Sequence, residues 1–339
     1  MRHLSPLNNR DKKRKVIAVA AVTAATALVL TFITNTPYLE NSQEKAPEIN
    51  QYKTQSKNQE IVKPINQNNQ NLNYERLHPK SFFEKDSFWP AISSVKEKPL
   101  FTLTNPIFGA TIPHHLIPSP AIATFFQELK RQNPKTLIIL SPNHFSAGEK
   151  QFLTSNESYP TPFGNVAVEQ AIYQKMTTSP NIQTAIEENT NGLGNDHGIG
   201  SLMPFIKYYL PETKIIPILI RDKTSTQDIV KLESALAPYI STVTPLLTSV
   251  DFSHYLTLKE AQEKDKITWN LIKSWSISQL ISLNSNDYLD TPGGIATLLL
   301  SMKQKGATRI TKHYYDNSGS ILKQPNIPTT SYFILSFTK

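Results

Sequence analysis

Residues 137–144 read Leu137-Ile138-Ile139-Leu140-Ser141-Pro142-Asn143-His144. The four leading residues form an unbroken apolar run, the pattern of a short strand buried on both faces of a sheet. Pro142 ends it, because proline donates nothing to a ladder and restricts the residue before it. His144 then falls where the chain leaves the sheet. In open α/β sheets, ligands bind just beyond the carboxyl ends of the strands. Two other stretches repeat the arrangement. One is Phe108-Gly109-Ala110-Thr111-Ile112-Pro113-His114-His115. The other runs from Leu246 to Tyr255 and closes with Asp251-Phe252-Ser253-His254-Tyr255. A sheet that gathers these three ends puts several histidines on one rim.

Outward from these stretches, strand and helix patterns alternate. Strands are expected at Phe101–Pro113, Leu137–Leu140, Lys214–Ile220 and Pro245–Val250, with closing strands at Arg309–Tyr315 and Ser331–Phe337. Between them, Pro120–Asn133 carries Ile122, Phe125, Phe126 and Leu129 at helical spacing, and Thr226–Tyr239 sets Ile229, Leu232, Leu236 and Tyr239 on one face. Asn165–Thr178, Gly198–Leu210, Lys259–Leu283 and Ile295–Lys305 also read as helices, the last ended by Gly306, a C-cap residue type. The alternation predicts one α/β domain with a largely parallel central sheet flanked by helices.

The 339-residue chain has no cysteine, which excludes disulfides, thiolate ligands and a cysteine nucleophile. Its net charge is +8, but residues 1–15 hold six basic residues and one acidic, leaving +3 for the other 324. The basicity is a property of the tail, so a nucleic-acid surface is not indicated. Residues 16–33 are apolar apart from Thr23, Thr26 and Thr31 and carry no charge. Eighteen such residues approach the length of a spanning helix. The Lys12–Lys15 flank predicts a cytoplasmic N-terminus. A cleaved secretory signal and an uncleaved signal anchor compete. The sequence Thr34-Asn35-Thr36-Pro37 offers no clear Ala-x-Ala site, which favours the anchor. The expected organisation is a basic tail (1–15), a transmembrane anchor (16–34), a polar disordered linker (35–73) and an α/β domain (74–339). The bilayer is thus an expected partner. The chain is expected at the cell membrane, single-pass, with its main domain outside the cytoplasm.

Of eight histidines, five cluster in loops after apolar runs: His114, His115, His144, His197 and His254. With Asp196 and Asp251 they are ingredients for a metal site or a general acid/base pair. A histidine after a strand is also a common structural residue. Asp251–His254 can equally be read as a capped turn, its Asp and Ser bonding backbone N–H groups. Neither Ser141 nor Ser253 sits in Gly-x-Ser-x-Gly, so a hydrolase elbow is not supported. With 11 glycines, the chain shows no Gly-x-Gly-x-x-Gly and no P-loop.

Several motifs occur in a shared order. They are Ile112-Pro113-His114, Leu140-Ser141-Pro142-Asn143-His144, Thr161-Pro162-Phe163-Gly164, Asp196-His197, Met203-Pro204-Phe205, Ile216-Pro217-Ile218 and Ser249-Val250-Asp251-Phe252-Ser253-His254. That order resembles the MEMO family, which includes the AmmeMemoRadiSam system protein B. Thr291-Pro292-Gly293-Gly294-Ile295 and Tyr314 to Gly319 add to the likeness, which covers residues 100–338. The resemblance implies the fold of class III extradiol dioxygenases. It places a metal at His114, His144 and the Asp-Phe-Ser-His loop (Ser253 and His254), with His197, Asp251 and Asp196 in catalytic or supporting roles. Iron is the implied metal, with zinc or copper as alternatives. Many relatives carry a cysteine where Ser253 stands, and a hydroxyl is a poor ligand for a soft or borderline metal. The late glutamate that often completes the iron site has no match here. Two functions stay open. One is a metal-dependent redox or dioxygenase-type enzyme of unknown substrate. The other is a non-enzymatic ligand- or partner-binding module on the same scaffold. A metal-dependent hydrolase is a third reading.

Overall fold

The computed structural model describes residues 78–283 and 287–339, which fold around an eight-stranded sheet. In chain order the strands are β1 Gly109–Ile112, β2 Thr136–Pro142, β3 Phe152–Thr154, β4 Ile186–Glu188, β5 Lys214–Ile220, β6 Leu246–Ser249, β7 Arg309–Asn317 and β8 Ser331–Thr338. The basic tail, the apolar run at 16–33 and the linker to residue 73 lie outside the described residues. Among the described residues, no helix is long and apolar enough to cross a membrane.

The order across the sheet is β4-β3-β5-β2-β6-β1-β8-β7. The centre, β5-β2-β6-β1, is parallel throughout. β8 and β7 close one side antiparallel, and β3 joins the other antiparallel to β5. The protein is therefore an α/β fold with a mixed, mostly parallel sheet. All seven residues of β2 are buried, as a doubly covered parallel strand requires. β5 tolerates Pro217 at mid-strand. Its neighbour Ile215 donates away from β2, to Ala167, so the missing donor of Pro217 faces the β3 side. There the ladder begins only at Ile218.

Two groups of helices flank the sheet. One combines Lys85–Glu97, Ser119–Leu129 and Met203–Tyr209; the other combines Thr226–Leu236, Ile277–Ile281 and Pro292–Gln304. The helix Pro292–Gln304 lies so close to β1 that a Cβ on Gly109 would stand 2.7 Å from Leu298 and 2.8 Å from Met302. A larger residue there forces the ends of the Leu298 and Met302 side chains to move.

Several elements differ from the sequence pattern. The first strand is only Gly109–Ile112, matched in length to its neighbour β6. Val166 and Val168 form isolated bridges, and the helix starts at Gln170. The pattern at 259–283 breaks in two at Trp275, whose φ is +58°, giving helices Leu258–Lys273 and Ile277–Ile281.

Candidate metal centre

The strand order β2-β6-β1 sets three carboxyl ends side by side. β1 delivers His114, β2 delivers His144 and β6 delivers Asp251. The short helix His197–Gly200 brings Asp196 and His197, and the turn before helix Pro292–Gln304 brings Asp290. The rings of His144 and His197 stack at 4.2 Å, and His114 lies 5.0 Å and 5.3 Å from them.

Each imidazole is held from behind. His114 is 2% exposed, and its Nδ1 lies 3.1 Å from Ser249 Oγ. That hydroxyl donates its proton to Gly198 O at 2.6 Å. It can therefore only accept from His114, which puts the proton on Nδ1 and leaves a lone pair on Nε2. His144 is fixed by Asp196, whose Oδ1 accepts Nδ1–H at 2.8 Å and whose Oδ2 accepts the backbone N–H at 2.8 Å. The same Oδ1 caps the His197–Gly200 helix through Gly198 N–H at 2.9 Å. A carboxylate that orients a histidine in this way is the usual support of a metal-ligating imidazole.

In front, the free nitrogens meet carboxylates. His114 Nε2 is 3.5 Å from Asp251 Oδ2 and 3.4 Å from Asp290 Oδ2, and His144 Nε2 is 3.9 Å from the same Asp290 oxygen. Both carboxylates are also tied to backbone: Asp251 Oδ1 accepts His114 N–H, and Asp290 Oδ2 accepts Asp251 N–H. Asp290 Oδ1 is buried with no hydrogen-bond partner among the described residues.

The electrostatics follow from burial. It drives the pKa of His114 well below the ordinary imidazole value, and the neighbouring His144, His197 and His254 push it further down. His197 shifts down for the same two reasons, burial first and then His144. Asp251 and Asp290 shift up, through burial and, for Asp290, its neighbour Asp251. The pocket therefore gathers lone pairs and buried carboxyl oxygens, and no lysine or arginine lines it among the described residues.

A cation satisfies that arrangement. Two sets of ligand atoms lie within 4.8 Å of one another: His114, His144 and His197, and His114, Asp251 and Asp290. Bonds of about 2.0–2.1 Å put neighbouring ligand atoms about 3.0 Å apart in an octahedron and about 3.4 Å apart in a tetrahedron. The separations at Asp290 need little adjustment to reach those values. The orphaned oxygen, the converging lone pairs and the nitrogen–oxygen donor set all fit a divalent ion.

His254 lines the same cavity but belongs to neither ligand set. Ser253 does not face the cavity at all. It is fully buried and its hydroxyl donates to Asp265 Oδ1 at 2.7 Å, which corrects its assignment as a ligand. The capped-turn reading of this loop also fails in detail, because Asp251 accepts from His114 across the sheet rather than locally. His115 lines the cavity and meets Tyr332 Oη through Nδ1 at 2.6 Å. Asp290 was not singled out in the sequence. An aspartate directly before Thr-Pro-Gly-Gly reads as a helix start, and only the likeness of the following loop pointed toward it.

An α/β sheet with histidines and aspartates gathered at its carboxyl rim defines a metal-capable, site-bearing scaffold. The family profile described as Memo-like protein matches residues 109–332, and the chain belongs to that family. The MEMO1 family protein of Nitrosopumilus maritimus (strain SCM1) is 25% identical over 223 residues, covering 64% of this chain and 79% of the relative. The MEMO1 family protein of Methanosarcina mazei is 26% identical over 222 residues, covering 63% and 80%. Among solved structures, the uncharacterized protein JW3007 of Escherichia coli K12 is 13% identical with a TM-score of 0.45, covering 67% of this chain and 98% of the other.

Proposed function

We propose that this protein is a membrane-tethered metalloenzyme that uses a divalent ion, iron in first place, for redox or dioxygenase-type chemistry. The observation that carries the reading is that Asp290 Oδ2 lies 3.4 Å from His114 Nε2 and 3.9 Å from His144 Nε2. Two histidines and one carboxylate with room beside them suit ferrous iron, and the absence of thiolate removes the pull toward soft ions. When bound, such an ion supplies Lewis-acid and one-electron chemistry. The residues do the rest. Ser249 and Asp196 keep the two imidazoles in the tautomer that offers Nε2. Asp251 holds the loop of His114 through its backbone N–H. His197 is more exposed than His114 and is held neutral by burial, so it can take a proton from a substrate hydroxyl. Tethering rests on the charged flank and apolar run of residues 12–33.

Metal analysis of the purified full-length chain beside His114→Ala and His144→Ala tests the centre. Near-stoichiometric iron after anaerobic loading, lost in both variants, is the expected result. No bound metal under any preparation sinks the reading. Bound metal with no oxygen consumption, across a panel of candidate substrates, leaves a binding module instead of an enzyme. Alkaline extraction and protease accessibility of intact cells check the tether.

A further inference from the structure

The metal-centre cavity encloses about 560 Å³, room for a small organic molecule. Its charge inventory is one-sided. Glu84, Asp251 and Asp290 line it, and no lysine or arginine does so among the described residues. A divalent ion balances Asp251 and Asp290 and leaves the charge of Glu84. Without the ion, the remaining carboxylates make the cavity no more positive. Without the ion, it offers nothing fixed to balance a buried phosphate or carboxylate, and burying an unpaired charge is costly.

Two aromatic groups share the cavity lining with that carboxylate. Phe82 lines the wall, edge-on to His197 at 6.4 Å. Tyr255 stands at the mouth, 77% exposed, with φ at +60°. A bulky side chain in the left-handed region costs backbone strain, and such strain concentrates at ligand-gripping positions. Glu84 is exposed. Its Oε2 accepts from Ser87 Oγ at 3.3 Å, and no basic side chain among the described residues lies within ion-pair distance of it. A carboxylate and aromatic rings lining one cavity are the common recognition set for an alkylammonium group.

We propose that this cavity selects ligands carrying an ammonium group, read by Glu84, Tyr255 and Phe82, and in the ion-free state rejects phosphorylated and carboxylated ones. The inference deepens the metalloenzyme reading by naming a substrate class for its site, and its charge preference is read on the ion-free chain.

The test uses three probes that share a phenyl ring and a short chain and differ in charge: 2-phenylethylamine, 3-phenylpropionamide and 3-phenylpropionate. Titration calorimetry on the full-length, EDTA-stripped chain keeps carboxylate–metal bonds out of the comparison. The amine should bind about tenfold tighter than the carboxylate, with the amide between, since one cation–π contact and one exposed ion pair each contribute roughly two- to fivefold. Glu84→Gln should close the gap to within about threefold. Tyr255→Ala should weaken the amine about two- to fivefold and keep the order. Circular dichroism melts confirm that both variants fold. Equal or tighter binding of the carboxylate overturns the inference. So does an unchanged preference in Glu84→Gln, or no binding of the amine at millimolar concentration. Metal uptake is measured on the same preparations. Its failure with the amine preference intact counts against the metal centre alone; its success with the preference absent counts against the ammonium pocket alone.

Discussion

Replacing Asp196 by asparagine asks whether the grip on His144 is what makes the centre a metal site. The carboxylate accepts three hydrogen bonds, from His144 N–H, His144 Nδ1–H and Gly198 N–H, all at 2.8–2.9 Å. Asparagine keeps the shape and turns one acceptor into a donor. If its NH2 replaces Oδ2, it faces the His144 backbone N–H. If it replaces Oδ1, it faces Gly198 N–H and drives the imidazole to the other tautomer, with a proton on Nε2 where the ion should bind. Either placement strands a buried donor, at about 1–3 kcal/mol. Loss of such a supporting partner typically weakens metal binding 10–100-fold, or about 1.4–2.7 kcal/mol. Zinc is a convenient air-stable probe. Competition against a chromogenic chelator gives its dissociation constant for wild type and variant, with a thermal melt to confirm folding. An Asp196→Asn protein that folds and binds zinc within threefold of wild type refutes the argument.

Three further outcomes are expected. Ser253→Ala removes a 2.7 Å hydrogen bond to buried Asp265 and should cost about 1–3 kcal/mol in a urea melt while leaving zinc affinity unchanged; a matching loss of zinc would return Ser253 to the ligand set. Gly198→Ala puts a Cβ 2.0 Å from Ser141 Oγ and 3.3 Å from His144 Cε1, so it should lower both stability and metal affinity, and adding Ser141→Gly should recover part of the loss. Glu233 is 1% exposed, and burial raises its carboxyl from 4.5 to about 7, against a smaller opposing effect from the Gln304 hydrogen bond. Because the folded value lies above the unfolded one, the associated stability is full below pH 4.5 and is lost as pH rises through about 7. Glu233→Gln should therefore gain on wild type by about 3 kcal/mol between those limits, read as the difference between urea melts of the two proteins at pH 5 and pH 8; a pH-independent difference counts against the buried carboxyl.

How far the sequence could be read depended on how much each segment is covered. β2 and β5 announce themselves because both faces are buried, so apolar residues run on without alternation. β3 and β4, three residues each, are too short to show any period, and neither was expected. The expected strand from Phe101 shrinks because residues before Phe108 satisfy their backbone differently: Leu103 N–H goes to Glu128 and Ile107 N–H to Gln132, side chains far along the chain. At the site, His114 and His144 were legible because proline marks the strand end just before each of them. The orientation of Ser253 was not, since its partner Asp265 lies in the following helix, Leu258–Lys273, and only packing decides which way a hydroxyl points. Asp290 was hidden because its function depends on which loop the sheet order places opposite β1.

The placement of β6 has a consequence for how the chain assembles. β6 lies between β1 and β2, yet it follows them by more than a hundred residues. Both hydrogen-bonding neighbours of β1 come from the last third of the protein. During synthesis, then, the first two histidine-bearing strands emerge without partners, and sheet closure waits for distant segments whose recruitment is slow. The rim that gathers the histidines and aspartates cannot close until β6 and β8 have been made, and a chain arrested before residue 246 leaves both edges of β1 unpaired and open to chaperones and proteases.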